Sequence, residues 1–447
     1  MRFNYGLDEM PPWGPWLVFG LQWFILAVPP LIILGKVVAG LQFADVEGQV
    51  LYLQRLSLVT GLTLIAQILW GHRLPLILGP SSVLLVGMIA SQTRVIDAIY
   101  SSILLGGVFT VLLAVTGLFG KLVRFFTPRV IAVILLLVAV MLTPTILNLI
   151  ISEGTEISVL ANLVFALVML AVTFLAHRFL SGFWKSSLML WSLIAGWLTF
   201  TALFGFQNEA LTAIDWGVVY PGSPELHFTF DSAVFTAFLI CFLALSLNDL
   251  GSMQAVGEIV KPPGMKRRIT RGLSVTGFGN IVSGLMGVIG PVNFSGSPGV
   301  IVSSNCASRF TLIPAALGLI AAAFIPAFMG IIAMIPSVVV AVILIYIMSM
   351  QLATGLLVAV ESMQKPNLEN LLVIGLPLML GTVIAFLPAE VVSTFPAAMR
   401  PLLGNGFIIG LAAALFMEHV VLPRGDYRNP DQNGPPAAAA DADHSGE

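Results

Sequence analysis

Two short stretches decide how this chain folds: Gly79-Pro80-Ser81-Ser82 and Asn293-Phe294-Ser295-Gly296-Ser297-Pro298-Gly299. Each interrupts a long apolar run with residues that break a helix. Proline lacks the N–H that a helix interior uses, and glycine loses most backbone freedom there. Irregular backbone at membrane depth is tolerated only where protein buries it or where it lines a cavity. Paired breaks at matching places in two halves of a chain are the pattern expected at the binding site of a secondary transporter. The freed N–H groups at each half-helix start carry partial positive charge, which favours carbonyl oxygens or anions. Glycine and proline also kink packed membrane helices without any ligand, so the pairing of the breaks, not either break alone, points to a site.

The surrounding composition is that of a membrane protein. Of 447 residues, 58% are hydrophobic and 9% charged, where soluble domains carry about 25% charged residues. A mean hydropathy of +0.99 means that most of the surface faces lipid. The net charge of −2 and the lack of a basic run interleaved with aromatics exclude a nucleic-acid partner. Cys241 and Cys306 fall in apolar stretches and read as small packing residues, not a disulfide framework. The opening MRFNYGLDEMPPWGPW lacks the basic segment and short apolar core of a cleaved signal peptide. It is expected to be a mature cytoplasmic terminus.

A bilayer core needs roughly 20 apolar residues per helix. Apolar stretches run over 16–40, 50–70, 74–92, 97–119, 128–151, 157–177, 186–206, 232–257, 270–290, 297–308, 311–333, 336–358, 368–388 and 402–422. The reading is an all-α polytopic membrane protein with about fourteen spans, the third broken and the tenth too short to cross as a full helix. Cations cluster in alternate loops: Arg73; Lys121, Arg124 and Arg129; Arg178 and Lys185; Lys261, Lys266, Arg267, Arg268 and Arg271; Arg309; Lys365; and Arg424 and Arg428. Asp45, Glu47, Glu153, Glu156, Glu209, Asp215, Glu225 and Asp231 fill the loops between. The positive-inside rule then puts both termini in the cytoplasm, with the chain multi-pass in a cell inner membrane. The expected organisation is a cytoplasmic N-terminus (1–15), a first seven-span repeat (16–206), an extracytoplasmic linker (207–231), a second seven-span repeat (232–423) and a disordered tail (424–447).

The halves echo one another. Pro128-Arg-Val-Ile-Ala-Val-Ile-Leu opens the fifth span and Pro336-Ser-Val-Val-Val-Ala-Val-Ile the twelfth. An odd number of spans per half makes the repeats inverted. Extended segments are expected near 79–83 and 293–297, side by side at mid-membrane depth, with half-helices starting just after each.

Over nearly the whole chain these motifs resemble the xanthine/uracil permease (nucleobase–ascorbate transporter) family. Gly20-Leu-Gln22-Trp23 is close to that family's G-L-Q-H opening. Asn248-Asp-Leu-Gly251-Ser-Met-Gln-Ala-Val-Gly257 is close to its E-x-x-G-x-x-x-A-x-G pattern. Thr270-Arg-Gly-Leu-Ser-Val-Thr-Gly-Phe-Gly279 is similar to its R-G-L-x-x-x-G-x-G segment, and Phe294-Ser-Gly-Ser-Pro-Gly299-Val to F-S-[QE]-N-x-G-V. The resemblance implies two inverted seven-span repeats. It also implies a core domain (spans 1–4 and 8–11) holding substrate against a gate domain (spans 5–7 and 12–14), and a homodimer through the gates.

The departures fall on residues that the family uses to read a base. Its eighth-span acid falls at Asn248, its tenth-span Gln or Glu at Gly296, the following Asn at Ser297, the first-span His at Trp23 and the aromatic after the third-span break at Ser82. The candidate substrate-binding residues are therefore Gln22, Trp23, Ser81, Ser82, Asn248, Asp249, Gly296 and Ser297, with Ser295 beside them. Asp249 is also the candidate for proton coupling, because a carboxylate inside a span is costly and such residues lie on ion or proton pathways. The bland alternative is a carboxylate paired with a helix end. Glu258 reads as a helix-end charge near Lys261, Asn280 and Asn305 as interhelical partners, and Glu418 and His419 as boundary anchors.

The expected function is secondary active transport of a small polar, nucleobase-like solute across the lipid bilayer, driven by a proton or sodium gradient. An anion transporter of the same fold, for sulfate or a small organic anion, is the alternative, since two half-helix starts without the family's Glu suit an anion. A membrane-embedded enzyme is the remote one: His72, His177, His227, His419 and His444 fall at or outside the membrane ends, and no H-E-x-x-H motif or Ser/His pairing stands at depth. No G-x-x-x-x-G-K-[ST] motif is present, so ATP is not the energy source in this chain, and neither cofactor nor metal is expected.

Overall fold

The computed structural model describes residues 3–91, 95–151, 157–205, 221, 222, 224, 227–294, 296–363, 368–396 and 399–421. Most of the 207–231 linker, the 424–447 tail, Ser295 and several of the loop charges lie outside them. The described chain is built from helices. In chain order they are α1 (Trp13–Gln42), α2 (Val46–Leu69), α3 (Ser82–Ala90), α4 (Ile96–Val115), α5 (Pro128–Met141), α6 (Thr143–Ile151), α7 (Val159–Phe179), α8 (Leu188–Phe204), α9 (Ser232–Val260), α10 (Met265–Leu285), α11 (Ser297–Ser304), α12 (Leu312–Ala323), α13 (Pro326–Ala333), α14 (Ser337–Glu361), α15 (Leu368–Ala385) and α16 (Gly406–Phe416). Among the described residues, 8 helices are long and apolar enough to cross a membrane, with α5 and α6 taken as one. The chain is thus a multi-pass membrane protein.

Two extended segments, β1 (Leu78–Pro80) and β2 (Pro291–Asn293), pair antiparallel, with Gly79 opposite Val292. They begin one or two residues earlier than the sequence reading placed them. The half-helices α3 and α11 follow at once. The strands exist because Pro80, Pro291 and Pro298 and their neighbouring glycines cannot continue a helix. Gly79 is required by close approach: a Cβ there would meet the Phe294 ring at 2.5 Å.

The helices pack as two groups. One holds α1–α4 and α9–α13 around the strand pair; the other holds α5–α8 and α14–α16. Within the first, α4 and α10 meet backbone to backbone. A Cβ on Gly107 would meet the Gly277 carbonyl oxygen at 2.6 Å, and one on Gly277 the Gly107 oxygen at 2.9 Å. Small residues supply such contacts in membranes, where apolar burial alone gives little drive between helices.

The run 311–333 is sharply bent: α12 and α13 meet at 87°, as in a broken span or a re-entrant loop. Pro326 at the start of α13 cannot donate to α12 and forces its predecessor out of helix. The fifth apolar stretch breaks at Leu142, ahead of Pro144. Two further cations, Lys36 and Arg55, lie inside α1 and α2. Cys306 is free and buried but non-helical; it bridges Tyr5 in parallel, where the N-terminal segment runs beside 305–309. Asn4 N–H donates to Asn305 O at 2.9 Å, Ala307 N–H to Tyr5 O at 3.0 Å, and Arg309 pairs with Asp8 at 2.7 Å.

Candidate functional site

The strand pair is stitched together before any ligand is considered. Phe294 N–H donates to Ile77 O at 2.9 Å and Ser81 N–H to Gly290 O at 3.0 Å. Ser297 Oγ accepts from Ile77 N–H at 3.0 Å and donates to Phe294 O at 3.2 Å. Ser81 caps α3, its Oγ accepting from Leu84 N–H at 3.3 Å. Both serines are buried and committed to the scaffold.

Asp249 is also fully buried. Its Oδ1 accepts from the Asn293 backbone N–H at 2.9 Å and from Asn293 Nδ2 at 2.6 Å; its Oδ2 accepts from Thr276 Oγ1 at 2.6 Å. The chain of bonds closes on itself. Gln67 Nε2 donates to Thr276 Oγ1 at 2.9 Å, and Gln67 Oε1 accepts from His72 N–H at 3.3 Å. Leu74 N–H donates to His72 Nδ1 at 2.9 Å, so the neutral ring carries its proton on Nε2 and donates to Asn293 Oδ1 at 3.3 Å. Five side chains from α2, α9, α10, β2 and the 70–77 connection form one ring. All five are fully buried.

His72 follows closely on the end of α2, and the ring buries it fully. The 70–77 connection folds back against β2, and Arg268 holds it there, donating to His72 O at 3.1 Å and Arg73 O at 2.9 Å. Asn280 joins its helix to the strand instead of to another helix, its Nδ2 donating to Thr276 O on α10 at 2.8 Å and to Pro291 O on β2 at 3.0 Å.

The eight candidate residues therefore divide. Ser82 and Asn248 are half-buried and Gly296 is exposed, so these three offer surface beside the breaks. Asn248 Nδ2 approaches Asn293 O at 3.5 Å, and α9 packs on both half-helices. Ser81, Asp249 and Ser297 stand behind them. Trp23 is buried, its indole N–H donating to Thr311 Oγ1 at 3.0 Å, which ties α1 to the start of α12. Gln22 is buried on the same helix. Glu258 is exposed, and Glu418 is half of a buried pair with Arg129, Nε to Oε2 at 3.1 Å.

The sequence reading missed Gln67, His72, Thr276 and Lys36. Gln67 and Lys36 carried a usable signal, as polar side chains inside otherwise apolar runs. Thr276 and Asn293 stood within quoted motifs, but nothing in one sequence says that they meet.

Comparison with known proteins bears on the same stretch of chain. The xanthine/uracil permease model, described as a permease family, matches residues 14–390. The putative purine permease CPE0397 of Clostridium perfringens is 26% identical over 93% of this chain and 92% of its own length. The uric acid permease PucK of Bacillus subtilis is 28% identical over 89% and 94%. Among solved structures, the transmembrane domain of the cyanobacterial bicarbonate transporter BicA superposes with a TM-score of 0.60 at 17% identity, over 83% of this chain and 96% of that one. The murine anion transporter Slc26a9 gives 0.62 at 14% identity, over 92% and 69%. These two likenesses concern the fold.

Proposed function

The chain belongs to the xanthine/uracil permease family, and we propose that it is a secondary active transporter of a purine-like nucleobase, driven by an ion gradient. It is a transporter, not an enzyme. The observation that carries the reading is the antiparallel meeting of β1 and β2, with a half-helix leaving each. That geometry gathers helix starts, Ser82, Asn248 and Gly296 at one place, with hydrogen-bonding groups suited to the edge of a planar base. The relatives named as purine, uric acid and xanthine permeases support the class of solute.

In this reading the chain crosses a cell inner membrane about fourteen times. Both termini are cytoplasmic. Residues 16–206 and 232–423 are inverted seven-span repeats. The first packing group is the core that carries substrate, the second is the gate, and two gates join in a homodimer. Ser82, Asn248 and Gly296 form the substrate face, with Gln22, Trp23, Ser81 and Ser297 shaping it from behind. Asp249 is the coupling residue. Every partner it has is a donor, which suits the ionised carboxylate. A proton arriving there takes away an acceptor that Asn293 or Thr276 uses, so protonation and the position of β2 are linked. Sodium coupling is the competing outcome.

The anion reading gains nothing from the BicA and Slc26a9 likenesses, which concern fold alone. The test is uptake of radiolabelled urate, xanthine and hypoxanthine into proteoliposomes, alongside thermal stabilisation of the purified protein by each. Selective binding raises stability by mass action. Stabilisation by sulfate or bicarbonate with no response to any purine would replace this reading with the anion one.

A further inference from the structure

Lys36 stands inside α1, six residues before its end, in the apolar run Leu31-Ile-Ile-Leu-Gly-Lys36-Val-Val. An ammonium inside a span is costly and marks function by default. Its Nζ donates to Ala333 O at 2.7 Å and to Ile335 O. Those carbonyls lie at the end of α13, where unpaired backbone oxygens carry partial negative charge. An ammonium has three donors. Among the described residues the third has no partner, and no carboxylate pairs with Lys36.

Lys36 lines a cavity of about 310 Å³. The cavity lies between the two packing groups. Lys36 on α1 and Gln49 on α2 face Thr145 and Asn148 on α6 and Ser337 on α14, and Ile89 on α3 closes one side. Among the described residues no acidic side chain lines it. Ile89 is seven residues beyond the start of α3, roughly 10 Å along that half-helix from the strand pair. The volume stands at the small end of ligand pockets, which span about 300–1,000 Å³, and suits one planar fused-ring molecule.

We propose that this cavity is a second binding site, distinct from the strand pair, selective for a small organic monoanion, and that it takes the ionised form of an oxidised purine. The purine part of the claim rests on the transport reading above. The cavity supplies the Lys36 amine, whose protonated form a bound anion would stabilise, with hydroxyl and amide groups around the rim. That set pairs with a delocalised oxyanion and its ring N–H groups. A neutral base gains only the hydrogen bonds.

The competing account is a latch. Lys36 holds the end of α13, and its loss would then slow every substrate alike. Selectivity separates the two. Urate, an anion at pH 7.5, and hypoxanthine, neutral there, are measured for affinity and uptake on the full chain, Lys36→Gln, Lys36→Arg and Thr145→Asp. Lys36→Gln is expected to weaken urate at least ~10-fold, about 1.4 kcal/mol of binding, and to leave hypoxanthine within about 2-fold. Lys36→Arg keeps urate. Thr145→Asp leaves Lys36 in place but neutralises it, and gives the same selective loss; it carries the test if Lys36→Gln does not fold. Equal loss of both bases, or urate binding unchanged in Lys36→Gln and Thr145→Asp, overturns the proposal and leaves the transport reading standing. Failure of the unmodified protein to bind any purine overturns the transport reading, and the purine site with it.

Discussion

Asn293 donates twice to one oxygen of Asp249, through its backbone N–H at 2.9 Å and its side-chain amide at 2.6 Å. A carboxylate on a continuous helix thereby fixes the last residue of the second strand in both position and side-chain rotamer. Thr276 holds the other oxygen, so α9, α10 and β2 meet at one group. Such fully satisfied buried networks specify a unique arrangement, and removing one member leaves its partners unpaired.

Asp249→Asn tests both roles assigned to this residue. The amide can still accept from Asn293 but presents N–H groups where Thr276 also donates. One buried clash of donors costs about 1–3 kcal/mol, so the thermal midpoint falls. Because Asn cannot titrate, exchange of labelled substrate across proteoliposomes persists while accumulation under an imposed pH gradient disappears. A variant that still concentrates substrate in response to that gradient removes Asp249 from coupling and leaves it as a structural strap.

His72→Phe keeps the ring volume and deletes both ring nitrogens. Leu74 N–H and Asn293 Oδ1 then lose their partners in a fully buried place. The expected loss is about 1–3 kcal/mol per unpaired group, with binding weakened through the displaced strand. An unchanged melting curve would mean that the 70–77 connection is held by Arg268 alone.

The paired breaks were legible because helix breaking is local chemistry: proline and glycine act on their own turns, and their effect can be read one residue at a time. The half-helices began at Ser82 and Ser297, next to the motifs. The ring around Asp249 was not legible. Gln67 and His72 are far in the chain from Asp249, Thr276 and Asn293, and only the packing of α2, α9 and α10 brings the two sets together. His72 was hidden for a physical reason, since a residue next to Arg73 reads as loop until the loop is seen folding inward. Lys36 was legible as a lone cation in an apolar run, although one cation barely disturbs the hydropathy of a 30-residue helix.

Arg129 and Glu418 show what a buried ion pair demands. Arg129 reaches Glu418 with Nε at 3.1 Å and Nη2 at 3.2 Å, and gives Nη1 to Asn370 Oδ1 at 2.8 Å. Arg129→Ala leaves a buried carboxylate without its cation, which costs about 3–5 kcal/mol. Arg129→Met combined with Glu418→Leu recovers most of that loss, since apolar replacement of both partners is often neutral. The readout is the thermal midpoint of the detergent-purified protein. A double variant no more stable than Arg129→Ala would show that Asn370 and the surrounding helix ends depend on the charges themselves.

Gly296 and Ser297 replace the pair by which the family reads a base, and the structure makes their restoration unequal. A Cβ at Gly296 meets nothing within 4 Å, and its φ of −75° suits any residue. Gly296→Gln is therefore expected to fold normally, with a midpoint within about 0.5 kcal/mol of the unmodified protein. Ser297 is different, because its hydroxyl joins Ile77 N–H to Phe294 O in the buried seam between the strands. Ser297→Asn must displace that stitch, and a loss of about 1–3 kcal/mol follows from the unpaired Ile77 N–H. The unmodified protein is expected to take up xanthine and uracil weakly, since no side chain at position 296 can reach a base edge. Gly296→Gln with Asn248→Glu supplies an amide and a carboxylate on the open face without touching the seam. Xanthine affinity should then rise about tenfold, the worth of one well-made hydrogen bond. Micromolar xanthine uptake by the unmodified protein, unchanged in the double variant, would place base recognition on the backbone N–H groups of the half-helices.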